Sequence, residues 1–307
     1  MKGRFIVTTV IAFALMMSGC AQKSGVEESG KVKVTATIGQ IGDAVKQIGG
    51  DHVEVQTLMG PGVDPHLYKA KQSDIGKLQE ADLIFYSGLH LEGKMLEVLE
   101  KVNETKPAYA ISESIPKERL RADEASAAAV DPHVWFDIDL WKIAVAEVRD
   151  GLIMEDPAHE EEYRENTESY FNKLDELKEY AQDEIGSIPS EQRVLVTAHD
   201  AFHYFGDAYS MEVMGLQGLS TDAEFGLGDV QGLVETLAER ELKAVFVESS
   251  ISEKSITAVM EGVRKKGKDI ELGGELYSDA MGKEGTETGT YVGMYKHNVD
   301  TIVKALK

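Results

Sequence analysis

Cysteine is almost missing from this chain: among 307 residues, Cys20 carries the only thiol. No internal disulfide can form, so the folded body is held without covalent cross-links. Iron–sulfur and thiolate copper(I) chemistry are excluded with it. Positive charge is the second shortage, since 32 Lys and Arg face 54 Asp and Glu for a net charge of −22. A phosphate backbone is bound through clustered cations, so nucleic acid is not a partner. The surplus suits a dispersed soluble body, or one that handles cations. Long apolar runs are also lacking: the stretch Phe5–Met17 is too short for a comfortable membrane span. No segment has the G-x-x-x-x-G-K-[ST] pattern of a phosphate loop, so any energy from nucleotide hydrolysis is expected to come from a partner.

What is present begins with the N-terminus, "MKGRFIVTTVIAFALMMSGC". Lys2 and Arg4 precede the apolar run and small residues precede Cys20, which is the layout of a secretory signal. A lone Cys after Ser18-Gly19 resembles a bacterial lipoprotein cleavage box, with Met17 where Leu is usual. On this reading residues 1–19 are a signal peptide and Cys20 carries lipid. Residues 20–31, "CAQKSGVEESGK", are then a polar tether, and the body stands outside the cytoplasm, anchored to the membrane's outer face.

Beyond the tether, β-branched runs alternate with helical patterns. Strands are predicted within 31–39, 52–60, 82–88, 108–112, 193–198, 211–218, 244–249 and 270–278. Helical spacing lies between them, as in "QIGDAVKQIGG" and "KQSDIGKLQEA". Strands separated by helices imply an α/β fold with parallel sheets. The two halves repeat the same element order, so they form two pseudo-symmetric lobes, 32–155 and 188–307. Between them, 156–187 reads as one long rigid helix with Asp156 as N-cap, Pro157 at its start and Gly186 at its end. Tyr163, Tyr170, Leu174, Leu177, Ala181 and Ile185 form its apolar stripe.

Ligands of open α/β sheets bind beyond the C-terminal strand ends. His66 follows the second strand through "GPGVDPH", and His133 follows "RADEASAAAVDPH". His199 comes directly after "RVLVTA", and Asp279 after "GGELYS". The first two arrive on the same letters, Val-Asp-Pro-His. Proline fixes its own φ and extends the preceding Asp, which then caps the turn that carries the histidine. Asp64 and Asp131 are also placed to accept a proton from a ligand imidazole. Three imidazoles and a carboxylate suit a first-row divalent cation, and a bidentate Asp279 raises coordination in the way Mn(II) tolerates.

Other candidates are weaker. "HDAFH" puts His199 and His203 four apart, but Asp200 stands where a zinc protease has Glu, and the spacing differs. His203 reads as packing or surface. His90 ends a strand with nothing nearby to complete a second site, and His52, His159 and His297 read as surface residues. Glu248 is a candidate to support a ligand imidazole, and Glu224 a lesser one.

"LMGPGVDPHLYKA", "ADLIFYSGLHLEGKM", "DPHVWFD", "VLVTAHDAFHYFG", "GLQGLSTDAEFG", "VFVESS" and "LYSDAMG" together resemble the metal-binding lipoproteins of manganese and zinc ABC importers, closest to the manganese branch. The resemblance covers the whole mature chain. It implies two lobes about one backbone helix, with a single ion in the cleft on His66, His133, His199 and Asp279. It also implies a monomer that is not an enzyme and that delivers Mn(II) to an ABC permease driven by its ATPase. Release would follow if docking tilted one lobe and pulled Asp279 from the ion. Many manganese members carry Glu where this chain has His199. Zinc-specific members often carry a His-rich loop before the second ligand, and "RADEASAAAVDP" has no His. The rival readings are a zinc importer's receptor, a surface adhesin and a secreted zinc hydrolase.

Overall fold

Among the described residues eight short segments form strands, most of them on apolar and β-branched runs. In the computed structural model, which describes residues 30–122, 129–222 and 225–307, they join in parallel pairs. Strands β1 (Val32–Ala36), β2 (Val53–Thr57), β3 (Leu83–Tyr86) and β4 (Ala108–Ala110) make a sheet of order β2-β1-β3-β4. In the second half β5 (Val194–His199) pairs with β6 (Glu212–Gln217), and β7 (Ala244–Glu248) with β8 (Glu271–Leu276). β5 packs beside β7, so the spatial order β6-β5-β7-β8 repeats that of the first half. Both β5 and β7 are buried along their whole length, as parallel strands covered on two faces must be.

The helices between them are α1 (Gly39–Gly49), α2 (Gln72–Glu80), α3 (Leu96–Asn103) and α4 (Ile138–Glu155) in the first half. Helix α5 (Glu160–Gly186) follows, then α6 (His203–Tyr209), α7 (Leu227–Arg240), α8 (Lys254–Lys265) and α9 (Tyr291–Leu306). Asp137 caps α4, its carboxylate accepting from Asp139 N at 2.8 Å and Leu140 N at 3.1 Å. At Gly151, α4 lies so close to β3 that a Cβ would meet the Phe85 ring at 2.8 Å. Only glycine permits that approach.

The long helix differs from expectation at its start. Asp156 does not cap it, because a 3-10 turn, Pro157–His159, intervenes. The Asp156 carboxylate instead accepts from Tyr163 Oη at 2.8 Å and meets His159 Nδ1 at 2.6 Å. Glu160, Glu161 and Glu162 supply negative charge to the helix N-terminus. With 27 residues α5 is ~40 Å long. Its predicted stripe is buried, with Thr167 added. That stripe packs on α1 and α4 from the first half and on α6 and α9 from the second.

One core therefore runs through both halves. It joins β1–β4, α1, α4 and α5 to α6 and α9, while a smaller core lies among β5–β7, α7 and α8. Residues Lys31–Lys307 form one compact unit. Polar links cross it as well. Tyr291 Oη donates to Trp135 O at 2.6 Å, Tyr295 Oη to Phe136 O at 2.8 Å, and Tyr291 N to Asp43 Oδ2 at 3.0 Å. Because Leu174 is fully buried on the shared face, Leu174→Ala is expected to lower stability by about 2–4 kcal/mol. Urea denaturation is expected to show this as one shifted transition with an unchanged slope, rather than as a separate early unfolding of one half.

Candidate metal centre

Parallel strands bring their C-terminal ends to one edge, and the site lies there. His199 is the last residue of β5, paired in register with Gln217. Glu248 ends β7 and is paired with Leu276, the last residue of β8, from which the chain continues to Asp279. His66 arrives in the loop after β2. His133 immediately precedes the 3-10 turn Val134–Phe136 that leads into α4.

The four residues expected from the sequence converge, one ligand atom from each lying within 4.8 Å of the others. His66 Nε2 is 3.2 Å from His133 Nε2 and 3.7 Å from Asp279 Oδ2. His133 Nε2 is 3.4 Å from Asp279 Oδ1, and His199 Nε2 is 3.3 Å from Asp279 Oδ2. Donors held about 2.1 Å from one tetrahedral ion stand roughly 3.4 Å apart, so this spacing fits a first-row cation. Both Asp279 oxygens face the imidazoles, which permits bidentate ligation.

All four side chains are buried, at 3% exposure or less. Neither Asp279 oxygen has a hydrogen-bond partner among the described residues. A buried carboxylate left so is costly unless a cation meets it. That orphaned pair of oxygens is the strongest sign that the cluster is built to hold an ion.

The two Val-Asp-Pro-His elbows share their backbone chemistry and differ in their side chains. In each, the histidine N–H donates to the Asp two residues earlier at 2.9 Å, closing the same turn. Asp131 Oδ1 also lies 2.8 Å from His133 Nδ1, fixing that ring with Nε2 toward the site. Asp64 does not act so for His66; its other oxygen accepts from Thr221 Oγ1 at 2.6 Å. His199 has its own support, since Glu248 Oε2 lies 2.6 Å from Nδ1 and Oε1 accepts from His199 N at 2.9 Å.

Charge in the site follows these carboxylates. Burial pushes the His66 imidazole down to about 3, only partly opposed by Asp279. Burial also works against a proton on His133, yet Asp131 and Asp279 hold it up at about 9. At His199 burial is likewise overcome by Glu248 and Asp279, and the ring stays well above the usual histidine range. Burial alone would raise Asp279, but the charges on His199 and His133 hold it well below the carboxylate range. The neighbouring carboxylates thus favour a proton on His133 and on His199, while burial favours a neutral His66.

The other candidates fall away from this cluster. His203 is half-buried, 3.4 Å from Asp200. His90 is exposed, in a left-handed turn braced by Glu92, which accepts from Ser87 N and Gly88 N. His52 and His159 stack at 3.7 Å and pair with Glu162 and Asp156. His297 bonds Glu275 O. Cys20, Glu224 and residues 123–128 of the loop before His133 lie outside the described residues.

Several supporting residues escaped sequence reasoning. Gln40 Nε2 donates to Asp279 O at 3.2 Å and Ser278 O at 3.3 Å, and Trp135 Nε1 to Ser278 O at 3.2 Å. Side chains of the first half thereby hold the backbone of the Asp279 ligand. Tyr204 Oη donates to Asp131 O at 3.1 Å. The only signal was the position of Trp135 within "DPHVWFD".

The family model described as zinc-uptake complex component A, periplasmic (ZnuA), matches residues 34–305. The chain belongs to this family. Manganese-binding lipoprotein MntA of Bacillus subtilis (strain 168) is 52% identical over 303 residues, covering 98% of this chain and 99% of its own length. Zinc-binding protein TroA of Treponema pallidum (strain Nichols) is 48% identical over 295 residues, 95% of each chain. The solved structure of periplasmic zinc binding protein TroA from Treponema pallidum matches with a TM-score of 0.88 and 49% identity, covering 90% of this chain and 99% of that one. The α/β architecture with its long helix is thus that of a ZnuA-family solute-binding protein.

The unequal support of this ZnuA-family cluster has a spectroscopic consequence. In nitrogen-15 imidazole spectra of metal-free protein at pH 6, His66 is expected to be neutral and His133 protonated on both nitrogens. The reverse pattern would contradict the roles given to Asp131 and Asp279.

Proposed function

We propose that this protein is an extracytoplasmic lipoprotein receptor that captures Mn(II) and delivers it to an ABC permease, energised by a cytoplasmic ATPase. The ligands are His66, His133, His199 and Asp279, and the observation that carries the reading is the pair of buried, unpartnered Asp279 oxygens amid three imidazoles. Cys20 carries the lipid, and the protein acts as a monomer with lobes 32–155 and 188–307 about the helix 156–187. Manganese is favoured by the relation to Bacillus subtilis MntA. The two Asp279 oxygens facing the imidazoles favour it too, as a higher coordination number suits Mn(II).

Zinc is the second reading, favoured by the nearly equal relation to TroA and by the nitrogen donor His199. The Irving–Williams order gives zinc the tighter complex at an N/O site whatever the physiological cargo. Selectivity then lies with metal supply or with the complex that the permease accepts. A hydrolase needs an open coordination position and a base for water. Here Asp279 is a ligand and Glu248 is engaged by His199, so the site serves binding.

Release needs the cage to open. Withdrawing Asp279 breaks the hydrogen bonds from Gln40 and Trp135 to residues 278 and 279, so a tilt of either half strains that ligand.

Metal-stripped protein beginning after Cys20 is expected to bind one Mn(II) per chain by calorimetry, and His133→Ala none. Zinc binding without manganese binding would move the assignment to zinc uptake. Binding of neither would remove the site and leave a surface adhesin as the reading.

Ligand imidazoles must shed their protons before they coordinate. His133 holds its proton up to about 9, and His199 holds its own well above the usual range. Apparent Mn(II) affinity should therefore rise with pH below about 9, with roughly two protons released per ion near neutrality. Calorimetry in buffers of different ionisation enthalpy reads that number, and no release would refute the charge assignment.

A further inference from the structure

The two elbows put the same carboxylate to different uses, and the difference points to a second task at the first one. Asp131 turns Oδ1 to its own His133 ring, and its Oδ2 has no hydrogen-bond partner among the described residues. Asp64 holds the His66 backbone with Oδ1 and reaches with Oδ2 to Thr221, in the other half of the chain. Thr221 is 9% exposed, so little water competes for that bond.

The segment that presents Thr221 is itself tied to a ligand. It leaves β6 at Gln217, the register partner of His199, whose carbonyl also accepts from Asp200 N at 3.1 Å. Four residues after Gln217, Thr221 donates to Asp64, and Asp222 pairs with Lys94 of the first half at 2.6 Å. The strand beside His199 is thus strapped, through Thr221 and one carboxylate, to the elbow of His66. Of the three imidazoles in the cluster, His66 is the one with no carboxylate against Nδ1 among the described residues. Its position depends on its elbow more than do those of His133 and His199.

We propose that Thr221 and Asp64 form a latch across the two halves, reinforced by Lys94 and Asp222, that keeps His66 in place and sets how fast a bound cation leaves. These are positioning residues, since none of them supplies a ligand atom. The latch gives a docking partner a handle outside the coordination sphere: displacing the segment at Thr221–Asp222 frees Asp64, loosens the His66 turn and opens the cage from the His66 side. This rests on the metal-receptor reading above.

The test is stopped-flow release of Mn(II) from the loaded full chain into excess EDTA. Thr221→Val keeps the branched shape and removes the donor. It is expected to release the ion roughly tenfold faster while still binding one per chain. Thr221→Ser should restore the wild-type rate. Lys94→Met should give a smaller acceleration, about twofold, and abolish the part of the rate that rises with salt. Release from Thr221→Val at the wild-type rate, with one ion bound, would overturn the latch and leave the receptor reading standing. If Thr221→Val melts early in its metal-free form, Lys94→Met decides: a wild-type rate and salt response there would equally overturn the latch. A wild-type chain that binds no Mn(II) would instead remove the receptor reading, and the latch with it.

Discussion

A carboxylate buried among three imidazoles, with no hydrogen bond from backbone or hydroxyl to its oxygens among the described residues, is the constraint on which this architecture turns. Removing Asp279 from water costs several kcal/mol unless positive charge surrounds it. In the metal-free protein that charge comes from protonated His133 and His199, themselves held by Asp131 and Glu248. On the metal-receptor reading, the central place in this ordered set of charges is taken either by protons or by a divalent ion. Exchange between the two leaves the buried charge nearly balanced. That lets a deeply enclosed site stay folded in both conditions.

Such a balance demands positions held to fractions of an ångström, and the scaffold supplies them from far away in sequence. Helix α5 packs against elements of both halves, and the larger core passes through it. Gln40 and Trp135 hold the Asp279 loop, while Tyr291 and Tyr295 on α9 grip the carbonyls of Trp135 and Phe136. No ligand belongs to one half alone in its support, except His199, which Glu248 secures within the second.

Much of this was legible in the sequence, for reasons that are local. Seven of the eight strands lie within their predicted segments, and β5 runs one residue further to His199, because apolar patterning and flanking turn residues are properties of a few neighbours. The convergence of His66, His133, His199 and Asp279 could be read because parallel strands all end at one edge, and because Val-Asp-Pro-His fixes its own turn. What stayed hidden depended on distant partners. Nothing in the letters distinguishes Asp64 from Asp131; the difference is set by Thr221 and by the position of each ring. Asp156 has the composition of a cap, yet Tyr163 and His159 claim its carboxylate. Gln40 looks like any helix residue until the chain returns 239 positions later to place Asp279 beside it.

The order of these pieces along the chain has a consequence for how the protein comes into being. Asp279 and α9 are made after all three histidines and after every element of the first half. Until they arrive, the three imidazoles have no carboxylate between them, and the first half's core lacks its α9 wall. On the metal-receptor reading, a chain that has not yet delivered Asp279 makes a poor metal trap, and capture waits for that late segment to dock.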